Sequence, residues 1–209
     1  MAGTADNYVV EAVLIGPCKI YADLGTGSGQ WDGAPDVRLI LAADGSPDAT
    51  QNPNARHVGW TQDGAEWRVA PNVLNFTPDE SQEPVISRVQ AEEKVISGQA
   101  WQVGDMDLAE ILMPTATRSD VMGSKGLTFG GASALTYTSV AVIAPLEGDP
   151  TRFAVFHLYK AFNNAGLAAQ LTSKKPTASA FAFQGNAIGT RAAGDRAGRY
   201  FITNAGAQS

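Results

Sequence analysis

The 209-residue sequence predicts a mainly β protein: an antiparallel β-sandwich or partial barrel with one short flanking α-helix. Three observations carry that expectation. Strand-like runs are short and numerous, 22 glycines and 11 prolines punctuate them, and a single segment has helical character. An apolar content of 44% with 17% charged residues belongs to a chain that folds. One domain over residues 1–209 is expected, with long loops at about 43–57 and 121–133.

Tyr8–Ile15 ("YVVEAVLI") is rich in β-formers, and Cys18–Leu24 follows a Gly-Pro turn. Gly25–Asp36 is a loop by composition, and "VRLILA" after it reads as a short strand. Ala43–His57 is a second polar loop. Asp63-Gly64, between "HVGWT" and "AEWRVA", predicts a hairpin turn that would make Trp60 and Trp67 cross-strand neighbours, and "VLNFTP" a further short strand. From Pro84 to Trp101 a period of two puts Arg88, Gln90, Glu92 and Lys94 on one side and Val89, Ala91 and Val95 on the other. Asp105 is placed to cap a short helix whose apolar residues are Met106, Ala109, Ile111 and Met113, with Pro114 limiting its end. A glycine-rich loop follows. Strands are then expected at Leu135–Pro145, Thr151–Phe162, Pro176–Gly185 and Arg199–Thr203.

Few signals point to chemistry. A lone cysteine, Cys18, leaves no internal disulfide to form and suits a reducing compartment. The start of the chain lacks a signal-peptide pattern, and no apolar run approaches membrane-spanning length, so synthesis in the cytoplasm without membrane insertion is expected. His57 and His157 are the only histidines, and neither lies in a nucleophile or metal-ligand motif; no catalytic residue, metal or cofactor is expected. "GTGSG" and "GSKGLTFGG" fail the phosphate-loop pattern. Asp79, Glu80, Glu83, Glu92 and Glu93 could supply paired carboxylates, but without an aromatic cleft they read as solvated charges. Trp31, Trp60, Trp67 and Trp101 could form a sugar-stacking face, against which core or interface packing is weighed. The net charge of −6 is uneven: Met1–Asp120 holds 18 acids and 7 bases, Val121–Ser209 3 acids and 8 bases. Surfaces of opposite sign suit copies that meet head to tail.

The order "GWTQDGAEW", "DESQEPV", "ISRVQAEEKVISGQAW", "DMDLAEIL", then "FAVFHLYKAF" and "KKPTASAFAFQGN", resembles the tail tube (major tail) proteins of long-tailed bacteriophages, from about Val58 to the end. The resemblance implies a non-enzymatic virion subunit. Copies would form hexameric rings that stack into a hollow tube, each contributing strands to an intersubunit β-barrel around the passing genome. Partners would be further copies, other tail proteins at the tube ends, and DNA in transient, non-specific passage. On this reading Arg88, Gln90, Glu92 and Lys94 would face the lumen, with Phe153–Lys160 the second choice. Asp48, Asn52, Arg56, Ser124 and Lys125 would lie in the ring-stacking loops, and Ala43–His57 or Val121–Ser133 would order only between rings. The alternatives are a carbohydrate-binding β-sandwich on a virion or cell surface and, third, a β-sandwich hydrolase, against which the shortage of histidines counts.

Overall fold

A computed structural model describes residues 18–27, 29–34, 36–59, 61–76, 86–101, 104–131, 134–147, 149–168 and 177–206. The predicted strand at Tyr8–Ile15, Trp60, and the carboxylates Asp79, Glu80 and Glu83 lie outside the described residues. In chain order the elements are β1 (Lys19–Ala22), β2 (Arg56–His57), β3 (Thr61–Phe76), β4 (Ile86–Ala100), α1 (Met106–Leu112), β5 (Thr117–Arg118), β6 (Leu127–Thr128), β7 (Thr138–Leu146), β8 (Asp149–Asn163), β9 (Ser179–Gly185) and β10 (Gly198–Asn204).

The mainly β expectation holds. Eight strands form one antiparallel sheet in the order β2-β1-β7-β8-β9-β4-β3, with β10 also on β8, and β5–β6 form a small separate sheet. The large sheet does not close into a barrel among the described residues. Its branching follows from the length of β8. One edge of β8 carries β7; the other carries β10 at Arg152–Leu158 and β9 at Ala161–Asn163. The sheet therefore forks, and β9-β4-β3 leaves as one prong.

The fork puts apolar packing on both faces of β7 and β8, where alternate residues point to opposite sides. Val140, Val142, Phe156 and Leu158 join Ile96, Phe181, Phe183 and the helix residues Leu108, Ile111 and Leu112 in one core cluster. Ala141, Ile143, Val155 and Tyr159 join Leu24, Trp31, Leu39 and Leu41 in a second. Burial on both faces explains why these two strands read as near-continuous apolar runs. It also removes Phe153–Lys160 as a lumen strand, since Phe153 to Tyr159 are all buried.

Helix α1 forms where its cap predicts. The Asp105 side chain accepts a hydrogen bond from the Asp107 amide at 3.0 Å, satisfying one of the free N–H groups of the first turn. The residues it buries are Leu108, Ala109, Ile111 and Leu112 rather than the expected set with Met106 and Met113.

Two local expectations fail, each for a backbone reason. Val37–Ala42 is not a strand. The Ile40 amide donates to Gln51 Oε1 at 2.8 Å, the Ile40 carbonyl accepts from the Asp48 amide at 3.0 Å, and the Ala42 amide donates to the Ser46 carbonyl at 2.8 Å. The loop after it thus takes the hydrogen bonds a neighbouring strand would have made. Asp63-Gly64 is not a hairpin turn. β3 runs through it with a register shift between Gln62 and Ala65, and Gly64 sits at φ +80°, the left-handed conformation that a bulge uses. Trp60–Trp67 cross-strand pairing is thereby lost, since Trp67 lies opposite Ile96. Ala43–His57 is a loop built of successive turns up to the short strand β2.

Candidate interaction surface

The most exposed regular structure is the distal part of the β3–β4 hairpin. β9 pairs with β4 only from Val95 to Ala100, so Arg68–Phe76 and Ile86–Lys94 run on as a two-stranded arm. Ile86 to Glu93 are exposed on both faces of the strand, as are Val69 and Pro71 to Phe76. Half-exposed Val73, Leu74, Phe76 and Ile86, and Val89 at 61% exposure, leave much apolar surface in water. Both backbone edges are open: β3 ends the sheet, and β4 has no outer neighbour before Val95 among the described residues.

Ladder partners on an antiparallel pair share a face, which assigns the sides of the arm. Asn72 lies opposite Ala91 and Val73 opposite Val89, so Gln90 is a bulge residue with no partner across the ladder. Past the bulge the alternation reverses. Glu92 and Lys94 lie on the face of Val69, Pro71 and Val73, whereas Arg88 lies opposite Leu74 on the other face. The expectation that Arg88, Gln90, Glu92 and Lys94 share one side is corrected accordingly. Counting by twos does not survive an inserted residue.

Four of the charges on the arm are paired with one another. Lys94 Nζ lies 2.9 Å from Glu92 Oε2, and Arg68 pairs with Glu93 on the opposite face. At the arm's root the Trp67 ring stacks on Phe156 (4.8 Å between centroids) and on Tyr200 (5.2 Å). Phe156 and Tyr200 are themselves ladder partners on β8 and β10, so one indole spans two strands of the other prong. A groove of about 260 Å³ opens beside this stack, lined by Val69, Glu92, Lys94, Leu158, Arg199 and Tyr200 among others. Trp31 is buried with its ring edge-on to His157, and Trp101 is exposed, so the tryptophans do not form a common sugar-stacking face.

A second exposed region is the flap built by β5 and β6. Val121, Met122 and Phe129 are exposed, Met122 fully and with φ +47°, beside exposed Ser124 and Lys125. The flap is tied to α1 through Arg118, whose guanidinium reaches Asp107 at 2.6 Å and Asp120 at 3.0 Å. The hydrogen bond from Arg118 holds the Asp107 carboxyl below the usual carboxylate range. Of the residues expected in stacking loops, Ser124 and Lys125 are on this surface. Asp48 accepts from the Thr50 and Gln51 amides, at 3.0 Å each, and fixes a turn. Asn52 is 2% exposed and accepts from the Gly25 amide, so its side chain is not available to another ring. Arg56 is half-buried between Asp23 and Glu110, joining β2, the chain after β1 and α1. Burial lowers its pKa, but the charge and hydrogen bonds of Asp23 and Glu110 outweigh that and raise it. Asn52 and Arg56 are thus engaged within the chain itself.

Sequence reasoning missed one buried polar network. Ser139 Oγ lies 2.8 Å from His157 Nε2, and both side chains are buried. The ring lies edge-on to Trp31 (5.0 Å) and to Tyr159 (5.1 Å). Beside it Asp195 accepts from Tyr159 Oη at 2.7 Å and pairs with Arg191 at 3.2 Å and Arg199 at 3.0 Å. A serine beside a histidine invites comparison with a nucleophile and base, but Ser139 has no exposed surface through which a substrate could reach it. The strand expected at Thr151–Phe162 contains His157, but no local pattern in the sequence links it to Ser139, 18 residues away. Among the described residues no three His, Cys, Asp or Glu side chains are grouped to hold a metal ion. No helix among the described residues is long and apolar enough to cross a membrane. Compared with known proteins, the chain matches no family model and no curated protein.

Proposed function

We propose that the chain is a structural tail tube subunit of a long-tailed bacteriophage, a β-sandwich whose copies form stacked hexameric rings and a conduit for genome delivery. The observation that carries this reading is the β3–β4 arm, exposed on both faces and, among the described residues, open along both backbone edges. An exposed, apolar, two-edged ribbon is a poor solution for an isolated subunit, because unpaired strand edges recruit other strands. It is a good solution for a subunit meant to be joined. The open edges of Arg68–Phe76 and of Ile86–Lys94 run antiparallel and are similar in length, about 30 Å at about 3.3 Å per residue. The β3 edge of one copy can therefore ladder with the β4 edge of the next, and a ring closes when the last edge meets the first.

The electrostatics support passage of DNA rather than capture. Two of the arm's three cations, Lys94 and Arg68, are each paired with a glutamate on the arm, which leaves Arg88 as a single cation there, few for the cationic contacts that bind duplex by counterion release. The exposed flap, with Met122, Ser124, Lys125 and Phe129, is the surface we assign to contacts between rings. In this reading the protein ends in the virion tail after synthesis in the host cytoplasm, with other tail proteins at the tube ends.

The test is self-association of the wild-type chain against Val73→Lys and Leu74→Lys, one charge on each face of the arm. The wild type is expected to form rings or tubes in sedimentation and negative-stain microscopy, and the variants to stay monomeric at the same concentrations. Assembly unaltered by both variants would remove the arm from the interface.

A further inference from the structure

The network around His157 sits between two layers: the sheet on one side, and the Leu24–Asn54 segment on the other. The apolar cluster of Leu24, Leu39 and Leu41 with Ile143, Val155 and Phe201 crosses that boundary, and beside His157 three further contacts do. The Trp31 amide donates to the Tyr159 carbonyl at 2.7 Å, Arg191 Nη2 donates to the Gly33 carbonyl at 2.6 Å, and the Trp31 ring lies against the His157 imidazole at 5.0 Å. Arg191 is also stacked over the Tyr159 ring, its guanidinium carbon 4.2 Å from the centroid. The groups facing His157 are Ser139 from β7, Tyr159 from β8 and Arg199 from β10, with Arg191 and Asp195 from the turn between β9 and β10 and Trp31 from above. That neighbourhood holds two guanidiniums and one carboxylate.

We propose that this cluster is an acid-operated latch: protonation of His157 releases the Leu24–Asn54 layer from the sheet while the α1 side of the sheet stays folded. The argument is one of charge and access. An imidazolium there would be a third cation sharing the single carboxylate of Asp195, in a site closed to water. Burial first, and then the charges of Arg191 and Arg199, push the His157 pKa down to about 3. Water can hydrate the charged ring once Trp31 moves away, and Trp31 belongs to the layer that lifts. The opposite core, built from Val140, Phe156, Phe181 and the helix, shares no side chain with the latch and lies on the other face of β7 and β8. Release of one layer is then a local opening rather than global unfolding.

Hydrogen exchange of the full chain at about pH 7 and about pH 4.5, corrected for the intrinsic pH dependence, tests this. The amides of Trp31 and Gly206, whose bonds to the Tyr159 and Leu41 carbonyls cross the boundary, are expected to lose at least about tenfold in protection at the lower pH, while those of Ala109, Met113 and the β7–β8 ladder keep theirs. His157→Gln, which retains a polar partner for Ser139, is expected to abolish the difference, and Asp195→Asn to move the opening to higher pH. Simultaneous loss of protection on both faces of the sheet would overturn the latch. So would an unchanged pH response in His157→Gln. A direct NMR titration of the His157 ring in the wild type decides the matter without any variant: ring protonation near the ordinary histidine value with the Trp31 amide still protected would also overturn it.

Discussion

At the scale of single residues, the polar groups that most shape this molecule are those that tie its layers together. Arg56 holds Asp23 and Glu110 at once, so Arg56→Ala leaves two partly buried carboxylates facing each other. A loss of about 1–3 kcal/mol in urea unfolding is expected, the range for breaking a partly buried ion-pair network. His157 makes stability depend on pH in a defined direction. Its folded pKa, about 3, lies below the ordinary histidine value of 6.5, so the unfolded chain takes up the proton first as pH falls. The contribution is complete above about pH 6.5, declines as pH falls toward the folded value, and amounts to a loss of about 2 kcal/mol at about pH 5. Urea midpoints measured across that window should fall more steeply for the wild type than for His157→Gln. Equal slopes would assign the acid sensitivity to the carboxylates alone.

At the scale of elements, β3 and β4 show what a sequence does and does not disclose. The two-residue alternation from Pro84 to Trp101 was enough to place β4 within two residues of its observed ends, and Asp105 was enough to start α1. Dipeptide signals were not enough at Asp63-Gly64. A left-handed glycine serves a turn and a bulge equally, and only pairing with Gln99 and Gly98 of β4 decides between them. The Gln90 bulge left no mark in composition, so the face of Arg88 was unreadable. Val37–Ala42 has the composition of a strand but finds its hydrogen-bond partners in the next loop. The bulge makes its own forecast. Gly64→Val forces a branched side chain into φ +80°, and a loss of about 1–3 kcal/mol is expected in thermal or urea unfolding. Gly98→Ala should also destabilise, because a Cβ there would lie 2.7 Å from the Phe181 ring and 3.1 Å from the Gly64 carbonyl oxygen. If both variants match the wild type, the bulge is more plastic than its geometry implies.

At the scale of the whole molecule, the forked sheet separates two tasks. β7 and β8 are covered on both faces and, with β10 laid along β8, give the chain its own core. The prong of β9, β4 and β3 shares that core at its root and then leaves it, carrying apolar side chains and open edges into solvent. Substitutions on the arm should therefore leave subunit stability nearly unchanged, within about 0.5 kcal/mol for Val73→Lys, while blocking assembly. Core and arm thus come apart experimentally: Arg56→Ala should weaken folding and spare the ladder, and Val73→Lys the reverse.

The most direct measurement is negative-stain electron microscopy of the wild-type chain across a concentration series, with hydrogen exchange of β3 and β4 at each end of the range. Hollow rings or tubes in which the Arg68–Phe76 and Ile86–Lys94 amides become protected are expected from a subunit that closes through its arm. A monomer at every concentration, or an assembly in which those amides exchange as freely as in the monomer, would contradict the account.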